Sequence, residues 1–413
     1  MMNIVCFKFN EDILANCLEK CDKVIFIQDQ WDIENMNYSQ SLMDRVFLRY
    51  DVNSIDSIEE LAAVYSDIQS RNINIEKAIS GAEYGIFAAG YFNALIKRNT
   101  LDLMVSISSR DKRMMKRHFN NVGVNYAKYV PSYDIYQLQS GIHHGLEYPI
   151  VVKPVCGTGT FNTEIVYSEK ELIEYFEKLN MHPAVLSKLI TLEEYINGEE
   201  YHVDIVWRDG LCKFISISKY LIPRIEVLKY PTKNGACVLS NRQYESLYKT
   251  VKEAHEKISE NIGIKNGVTH TEFFIKNGIV YFSEIATRFA GAFAPEAIAH
   301  ATGVDIIDEW IRAEIGEASL IPNEIKEYKN YGWLNFSPLT NGIIDKIPTE
   351  EELLKTPWIK QVNIRLKSGD NYFLNNPSIW SIFLIIEGES FEDFESKVEE
   401  LYKLYRITTR EED

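Results

Sequence analysis

The chain of 413 residues predicts an α/β layer that leads into α+β lobes, on three observations. Strand and helix patterns alternate over the first hundred residues, the signature of a parallel sheet with helices on its faces. From Ala184 onward strands follow one another directly, so the sheet there should be largely antiparallel. Between the two lies a basic helix followed by strands and a glycine-rich turn, which reads as a small α+β lobe.

In order, the first layer reads as strand Asn3–Phe9, helix Glu11–Lys20, strands Lys23–Gln28 and Met43–Tyr50, helix Ser57–Asn72, strand Ile73–Ile79 and helix Tyr84–Arg98. Ligands of such layers collect where strands end and helices begin, which draws attention to Ser80-Gly81-Ala82-Glu83-Tyr84. Glu83 reads either as a group that addresses a substrate amine or as an acid suited to the first helical turn.

A second unit starts near Ser109. Asp111 can cap a helix Lys112–Asn121, with Gly123 as its stop, and the strand Tyr126–Val130 follows. The cations Lys112, Arg113, Lys116 and Arg117 on that helix need anions or water nearby. Ile150–Lys153 is a strand, Gly157-Thr158-Gly159-Thr160 a flexible loop and Thr163–Tyr167 another strand. Ser168 with Glu171 forms a capping box that opens a helix to Leu179. The later strands are Val185–Ile190, Tyr201–Trp207 and Cys212–Ser218, the second pair joined by a turn at Arg208-Asp209-Gly210. A helix over Arg242–Ile262, a hairpin, and a helix begun by Pro295 come next. Short strands near Val362–Leu366 and Ser381–Glu387 and a helix Phe391–Tyr405 close the chain. The predicted units are 1–108, 109–183, 184–320 and 321–413.

The hairpin VTHTEFFIKNGIVYFSEIATRFAG carries Glu272 and Glu284, and register decides whether they can share a cation. A two-residue turn at Asn277-Gly278 would set Glu272 against Ser283 and aim the carboxylates at opposite faces. A three-residue loop, Lys276-Asn277-Gly278, pairs Glu272 with Phe282 and Glu284 with His270, and both carboxylates then share a face with Ala286 and Arg288. Phe273, Ile275, Ile279, Tyr281 and Ile285 would fill the other. An oxygen-only pair of this kind suits Mg²⁺, with substrate phosphates completing its shell.

Acidic residues outnumber basic ones 60 to 44, a net charge of −16 that argues against broad binding to nucleic acid or anionic membranes. The opening MMNIVCFKF reads directly as a strand rather than a targeting signal, and the longest apolar run, Trp380 to Ile386, cannot span a bilayer, so a cytoplasmic location is expected. Six cysteines lack metal-site spacing; Cys17 and Cys21 share a helix face and read as core.

Lys153 ends a buried-looking strand just before Gly157 and Gly159, an order that makes sense if its ammonium reaches phosphate oxygens while loop amides close over them. It is not a Walker A sequence, which places the lysine after the glycines. Glu193-Glu194-Tyr195-Ile196 lies between strands, where backbone and Glu193 suit an adenine edge and Glu200 suits ribose hydroxyls. An acidic exposed turn is the alternative.

In order and spacing these pieces resemble the ATP-grasp superfamily from about Arg110 to Gly316, with the first hundred residues similar to its preceding α/β domain. The resemblance implies an ATP-grasp fold with an N-terminal parallel α/β domain and a C-terminal extension. It implies nucleotide binding by Lys112, Lys153, Gly157, Thr158, Gly159, Thr160, Glu193, Glu194, Tyr195, Ile196 and Glu200, and metal binding by Glu272 and Glu284. Arg288 matches the arginine that grips the reacting carboxylate or its acyl phosphate, with Lys153 as its catalytic partner. Many members carry an asparagine two residues after the second glutamate, where this chain has Ala286. A small residue there, and His270-Thr271-Glu272 before it, look most like the bacilysin-type L-amino-acid ligases.

That likeness implies ATP-dependent activation of an amino-acid carboxylate as an acyl phosphate, with Mg²⁺ or Mn²⁺, and transfer to an amine in specialised metabolism such as antibiotic biosynthesis. The alternative acceptor is a phosphopantetheine thiol on an acyl-carrier protein, for which Arg365, Lys367 and the Lys219–Arg224 stretch are candidate docking cations. A nucleotide-binding regulatory protein without turnover is the reading from another class. Glu83, Tyr84, Cys156, His270, Arg288 and Phe293 are the candidate substrate residues, and a homodimer is a candidate assembly.

Overall fold

The computed structural model describes residues 2–8, 11–97, 101–130, 145–179, 189–322, 327–374 and 379–411. Phe9, Arg98 and residues 185–188, which end or begin predicted elements, lie outside them.

β1 (Asn3–Phe7), β2 (Lys23–Asp29), β3 (Leu48–Val52) and β4 (Lys77–Ser80) form a parallel sheet in the order β3-β2-β1-β4. Ile4, Val5, Cys6 and Phe7 are all buried because both faces of a parallel sheet are covered. The strand order reverses between β1 and β4, where a ligand crevice belongs. Ser80 ends β4 with its hydroxyl 3.0 Å from the Phe7 carbonyl and 2.8 Å from that of Ala82. A Cβ on Gly85 would stand only 2.3 Å from the same hydroxyl, so this corner tolerates glycine alone. The corner delivers Glu83 to a 3₁₀ turn, Glu83–Gly85, that runs into helix Ile86–Lys97. The predicted strand Met43–Tyr50 begins later, at Leu48, because Gln40–Met43 closes a helical turn. Helices Gln30–Asn35 and Leu101–Ser108 were not expected; the first is opened by an Asp29/Asp32 capping box.

Helix Lys112–Asn121 begins as predicted, the Asp111 carboxylate accepting from the amides of Arg113 and Met114. Its Met115 and Phe119 are buried, and Phe119 meets Phe282 at 5.9 Å between ring centres. β5 (Tyr129–Val130), β6 (Ile150–Pro154), β7 (Glu164–Val166) and β8 (Ile190–Glu194) form the small sheet in the order β5-β8-β6-β7. β8 pairs with both β5 and β6, so the boundary expected at 183/184 moves beyond β8. Helix Glu169–Lys178 starts at Ser168, whose hydroxyl accepts from the Glu171 amide. The Glu171 carboxylate accepts from Tyr167 instead of Ser168, so the expected capping box is one-sided.

β9 (Glu199–Arg208), β10 (Leu211–Tyr220), β11 (Gly235–Val238), β12 (Gly267–Lys276) and β13 (Ile279–Ala286) are followed by β14 (Asn330–Phe336), β15 (Gly342–Lys346), β16 (Ile359–Ile364), β17 (Asn371–Tyr372), β18 (Ile382–Gly388) and β19 (Thr408–Arg410). Eight of them make one sheet, β13-β12-β9-β10-β11-β14-β18-β16, antiparallel at every pairing. The segment 321–413 is therefore no separate layer. It extends the large sheet through the β11–β14 pairing and adds a three-stranded sheet, β17-β15-β19. The apolar run around Leu384 supplies β18, an interior strand buried at Ile382–Ile386. Helix Ile306–Ile315, unread in the sequence, is opened by the Asp305 carboxylate and brings Trp310 into the core beside Phe289. Among the described residues no helix is long and apolar enough to cross a membrane.

Candidate active site

The hairpin brings Glu272 and Glu284 opposite one another, by a different route from the one expected. Lys276 pairs with Ile279, so the turn is the two-residue one, with Asn277 and Gly278 both at positive φ, 52° and 75°. Phe273 then pairs with Phe282, and regular pairing would set Glu272 against Ser283. A register shift between Glu272 and Phe273 takes up one extra residue, so Glu272 faces Glu284 and His270 faces Ala286. Two consequences correct the predicted faces. Tyr281 and Ile279 sit on the carboxylate side, opposite Phe274 and Lys276, while Phe282 turns into the core against Phe273 and Phe119. Ser283, the extra residue, presents its carbonyl to the Lys116 ammonium at 3.2 Å.

Helix Lys112–Asn121 and strand β6 aim three ammonium groups at this hairpin. Lys153 Nζ donates to Glu284 at 2.8 Å and lies 3.0 Å from Glu193; Lys112 Nζ is 3.2 Å from the other Glu284 oxygen; Lys116 Nζ is 3.0 Å from Glu193. Burial opposes charge on Glu284, but Lys112 and Lys153 outweigh it and hold its carboxyl down at about 2. Burial opposes the Lys153 cation too, and Glu193 with Glu284 drive its pKa up. For Lys116, wholly buried, desolvation wins and the pKa falls. Lys116 was not assigned to the site from sequence, although its place four residues after Lys112 puts it on the same helical face. The Glu193 carboxylate meets Lys116 and Lys153 from within β8, at the wall of the same cleft.

The glycine-rich loop folds back over the same end. Lys112 donates to the Gly157 carbonyl at 2.7 Å, and Arg110 to that of Cys156 at 2.6 Å. Gly159 and Thr160 both take positive φ, near 60°. Gly157, Thr158, Gly159 and Thr160, with Glu193, Glu194, Tyr195, Ile196 and Glu200, line a cleft shared with Lys112, Lys153, Glu272 and Glu284. Glu200 accepts from the Arg224 amide, and burial, reinforced by Glu272, pushes its carboxyl up to about 8.

Arg288, which lines the same cleft, donates to Glu83 from Nη2 at 2.6 Å and from Nε at 3.2 Å. Arg110 holds the second Glu83 oxygen at 2.6 Å, and the Thr158 hydroxyl donates at 2.9 Å. Glu83 thus has its carboxylate engaged by two guanidiniums and a hydroxyl. Burial works against its charge, yet Arg288 and Arg110 hold its pKa well below the carboxylate range. His270 lines the cleft with Nε2 3.9 Å from Glu272, and its Nδ1 meets Asp204 at 3.0 Å. The second Asp204 oxygen meets His202 Nδ1 at 2.8 Å; all three are buried, and sequence reasoning had not linked them. Asp204 overcomes the burial of His270 and raises its pKa to about 9. Three predicted substrate residues do not line this cleft. Phe293 stacks on Phe383 in the core at 5.1 Å. The Tyr84 ring lies 5.8 Å from the Arg110 guanidinium, and Cys156 contributes its carbonyl to Arg110.

The donor set fits a hard divalent cation. Two carboxylates directly opposite one another repel unless a cation joins them. Lys112 and Lys153 engage Glu284, and Glu272 stands opposite it as a second oxygen donor.

Residues 146–296 match the family model of the ATP-grasp domain. The chain is 24% identical over 336 residues to the L-arginine-specific L-amino acid ligase of Bacillus subtilis, covering 79% of this chain and 77% of that one. It is 21% identical over 324 residues to dapdiamide A synthase of Enterobacter agglomerans, covering 73% and 72%. The crystal structure of an L-amino acid ligase from Bacillus licheniformis superimposes with a TM-score of 0.77 at 19% identity, over 99% of each chain.

Proposed function

From the premise that the chain carries an ATP-grasp domain in an ATP-grasp fold, we propose that it is an ATP-dependent carboxylate–amine ligase acting on an amino acid, of the specialised-metabolite kind. The observation that carries this reading is the single cleft that Lys112, Lys153, Glu272, Glu284 and Arg288 line together. A carboxylate resists nucleophiles because it is resonance-stabilised and negatively charged. Transfer of the γ-phosphoryl of ATP to one of its oxygens releases ADP and makes an acyl phosphate. The amine then attacks the carbonyl carbon, phosphate leaves with the C–O bonding pair, and the nitrogen loses a proton.

The residues suit these steps. Lys112 and Lys153 are poised to exchange Glu284 for phosphate oxygens, and the planar fork of Arg288 suits a carboxylate or its acyl phosphate. Glu272 and Glu284 are the residues that would hold Mg²⁺, or Mn²⁺, which supplies charge neutralisation at the phosphates. Glu194 ends β8 and Tyr195 and Ile196 follow it, where backbone groups suit an adenine, and Glu200 suits the ribose. Thr158 and its neighbours shield the acyl phosphate from water. An amine acceptor is favoured over a carrier thiol because three of the four cations a carrier would use have partners within the chain. Lys219 pairs with Glu199, Arg224 donates to Asn234, and Arg365 covers the Phe383 ring.

Hydroxylamine trapping tests the reading. ATP- and Mg²⁺-dependent hydroxamate should form with one or a few amino acids from a panel and vanish in Arg288→Ala. No hydroxamate with any donor, or undiminished turnover in Arg288→Ala, would sink it; repeating the assay with free amines and with a phosphopantetheine-bearing carrier separates the acceptors.

A further inference from the structure

We infer that Glu83 is a positioning residue that ties the glycine-rich loop to Arg288, so that closure of the loop and the grip on the acyl group are one event. The inference rests on the ligase reading for its consequence but not for its geometry. Glu83 belongs to the N-terminal layer, Thr158 to the loop, Arg288 to the turn after β13, and Arg110 to the approach to helix Lys112–Asn121. One buried carboxylate joins all four. Its Oε2 receives both the Thr158 hydroxyl and the Arg288 guanidinium, and its Oε1 receives Arg110, whose other nitrogen holds the Cys156 carbonyl at the loop's start.

A desolvated carboxylate between two guanidiniums cannot move without leaving buried charge unpaired, so it is the fixed point of the set. The loop is the movable member. Within it the Gly157 amide reaches the Pro154 carbonyl and the Phe161 amide the Thr158 carbonyl, both at 3.3 Å. The Thr158 hydroxyl on Oε2, the Arg110 bond to the Cys156 carbonyl and the Lys112 bond to that of Gly157 tie its first half to the site. Because Arg288 and Arg110 hold the Glu83 carboxylate from its two oxygens, an Arg288 drawn away leaves the anchor of Thr158 held from one side only, and an Arg288 in place keeps that anchor set. Under the ligase reading this sets how long the acyl phosphate is protected from water.

The test uses the full chain with Thr158→Val, which removes only the hydroxyl, Thr158→Ser, which restores it, and Glu83→Gln. Hydrogen–deuterium exchange of the ligand-free protein reads the latch directly. A hydrogen bond to a charged group should be worth about tenfold in exchange of the Gly157 and Phe161 amides. Thr158→Val and Glu83→Gln should each show that acceleration, Thr158→Ser should not, and the double variant should exceed neither single by much, since both break one contact. Unchanged exchange in Thr158→Val, or fully multiplicative effects, overturns the latch whatever the chain's activity. The second readout is the ratio of ADP to hydroxamate, expected near one in the parent and severalfold higher in Thr158→Val, a change that general destabilisation does not produce. Faster exchange with an unchanged ratio overturns the coupling to the acyl site. A parent that makes no hydroxamate counts against the ligase reading and leaves exchange to decide the latch.

Discussion

Glu284→Gln separates the two tasks that the geometry gives this side chain. In the ligand-free protein it is the counter-ion of two lysines, at 2.8 Å from Lys153 and 3.2 Å from Lys112, both of them buried. Removing one partner of a buried pair costs about 3–5 kcal/mol. Here Lys153 keeps Glu193, and the Glu284 side chain is 24% exposed, so about 2–3 kcal/mol is the reasonable loss. At an unfolding entropy of about 2 cal/mol/K per residue over a chain of this length, that is a fall in the melting temperature of about 3 °C. With nucleotide the balance changes, because the phosphates take over as the lysines' anions while the amide can no longer join Glu272 around a cation. Thermal shift with a non-hydrolysable ATP analogue, with and without Mg²⁺, is the assay. The variant should melt below the parent without ligand, gain at least as much as the parent from the Mg²⁺-free analogue, and lose the further gain that Mg²⁺ gives the parent. An undiminished Mg²⁺ gain, or a ligand-free variant as stable as the parent, would refute the reasoning.

Lys116→Met should destabilise the protein by about 3 kcal/mol in urea unfolding, because Glu193 loses one of its two cations. The same variant should need severalfold more Mg²⁺ for half-maximal stabilisation by nucleotide, since the Ser283 carbonyl loses the ammonium that anchors the bulge; an unchanged Mg²⁺ titration would contradict that role. Glu200 gives a pH signature. Burial raises its folded pKa to about 8 from an ordinary 4.5, so the folded chain binds the extra proton, and the penalty for ionising it is absent below about 4.5, grows with pH, and is complete above about 8. The melting temperature of Glu200→Gln relative to the parent should therefore climb from pH 5 to pH 8.5, and a flat difference would remove the assignment.

Much of the site was legible in the chain. Asp111 as a cap, Lys153 at a strand end before Gly157 and Gly159, and two glutamates on a hairpin are local patterns, and local geometry alone sets helix starts, strand ends and turns. The hairpin shows where that stops. Asn277-Gly278 announced a two-residue turn, and the only way to bring the carboxylates together from sequence was to lengthen it. The bulge that does so instead depends on Lys116 holding Ser283 and on Asn125 accepting from the Phe282 amide, partners 155 residues or more away in the chain. The partners of Glu193 and Phe293 were not legible for a related reason: they are Lys116 and Lys153 in one case and Phe383 in the other.

What the sequence by itself determined was the order of elements and the kinds of group available: a parallel layer, a basic helix, a glycine-rich loop, and acids enough for a cation. Only the tertiary structure decided which acid meets which cation. Buried charges choose partners by distance in space, so Glu83 became the junction of Arg110, Arg288 and Thr158, and His270 was joined through Asp204 to His202, contacts that no spacing along the chain encodes.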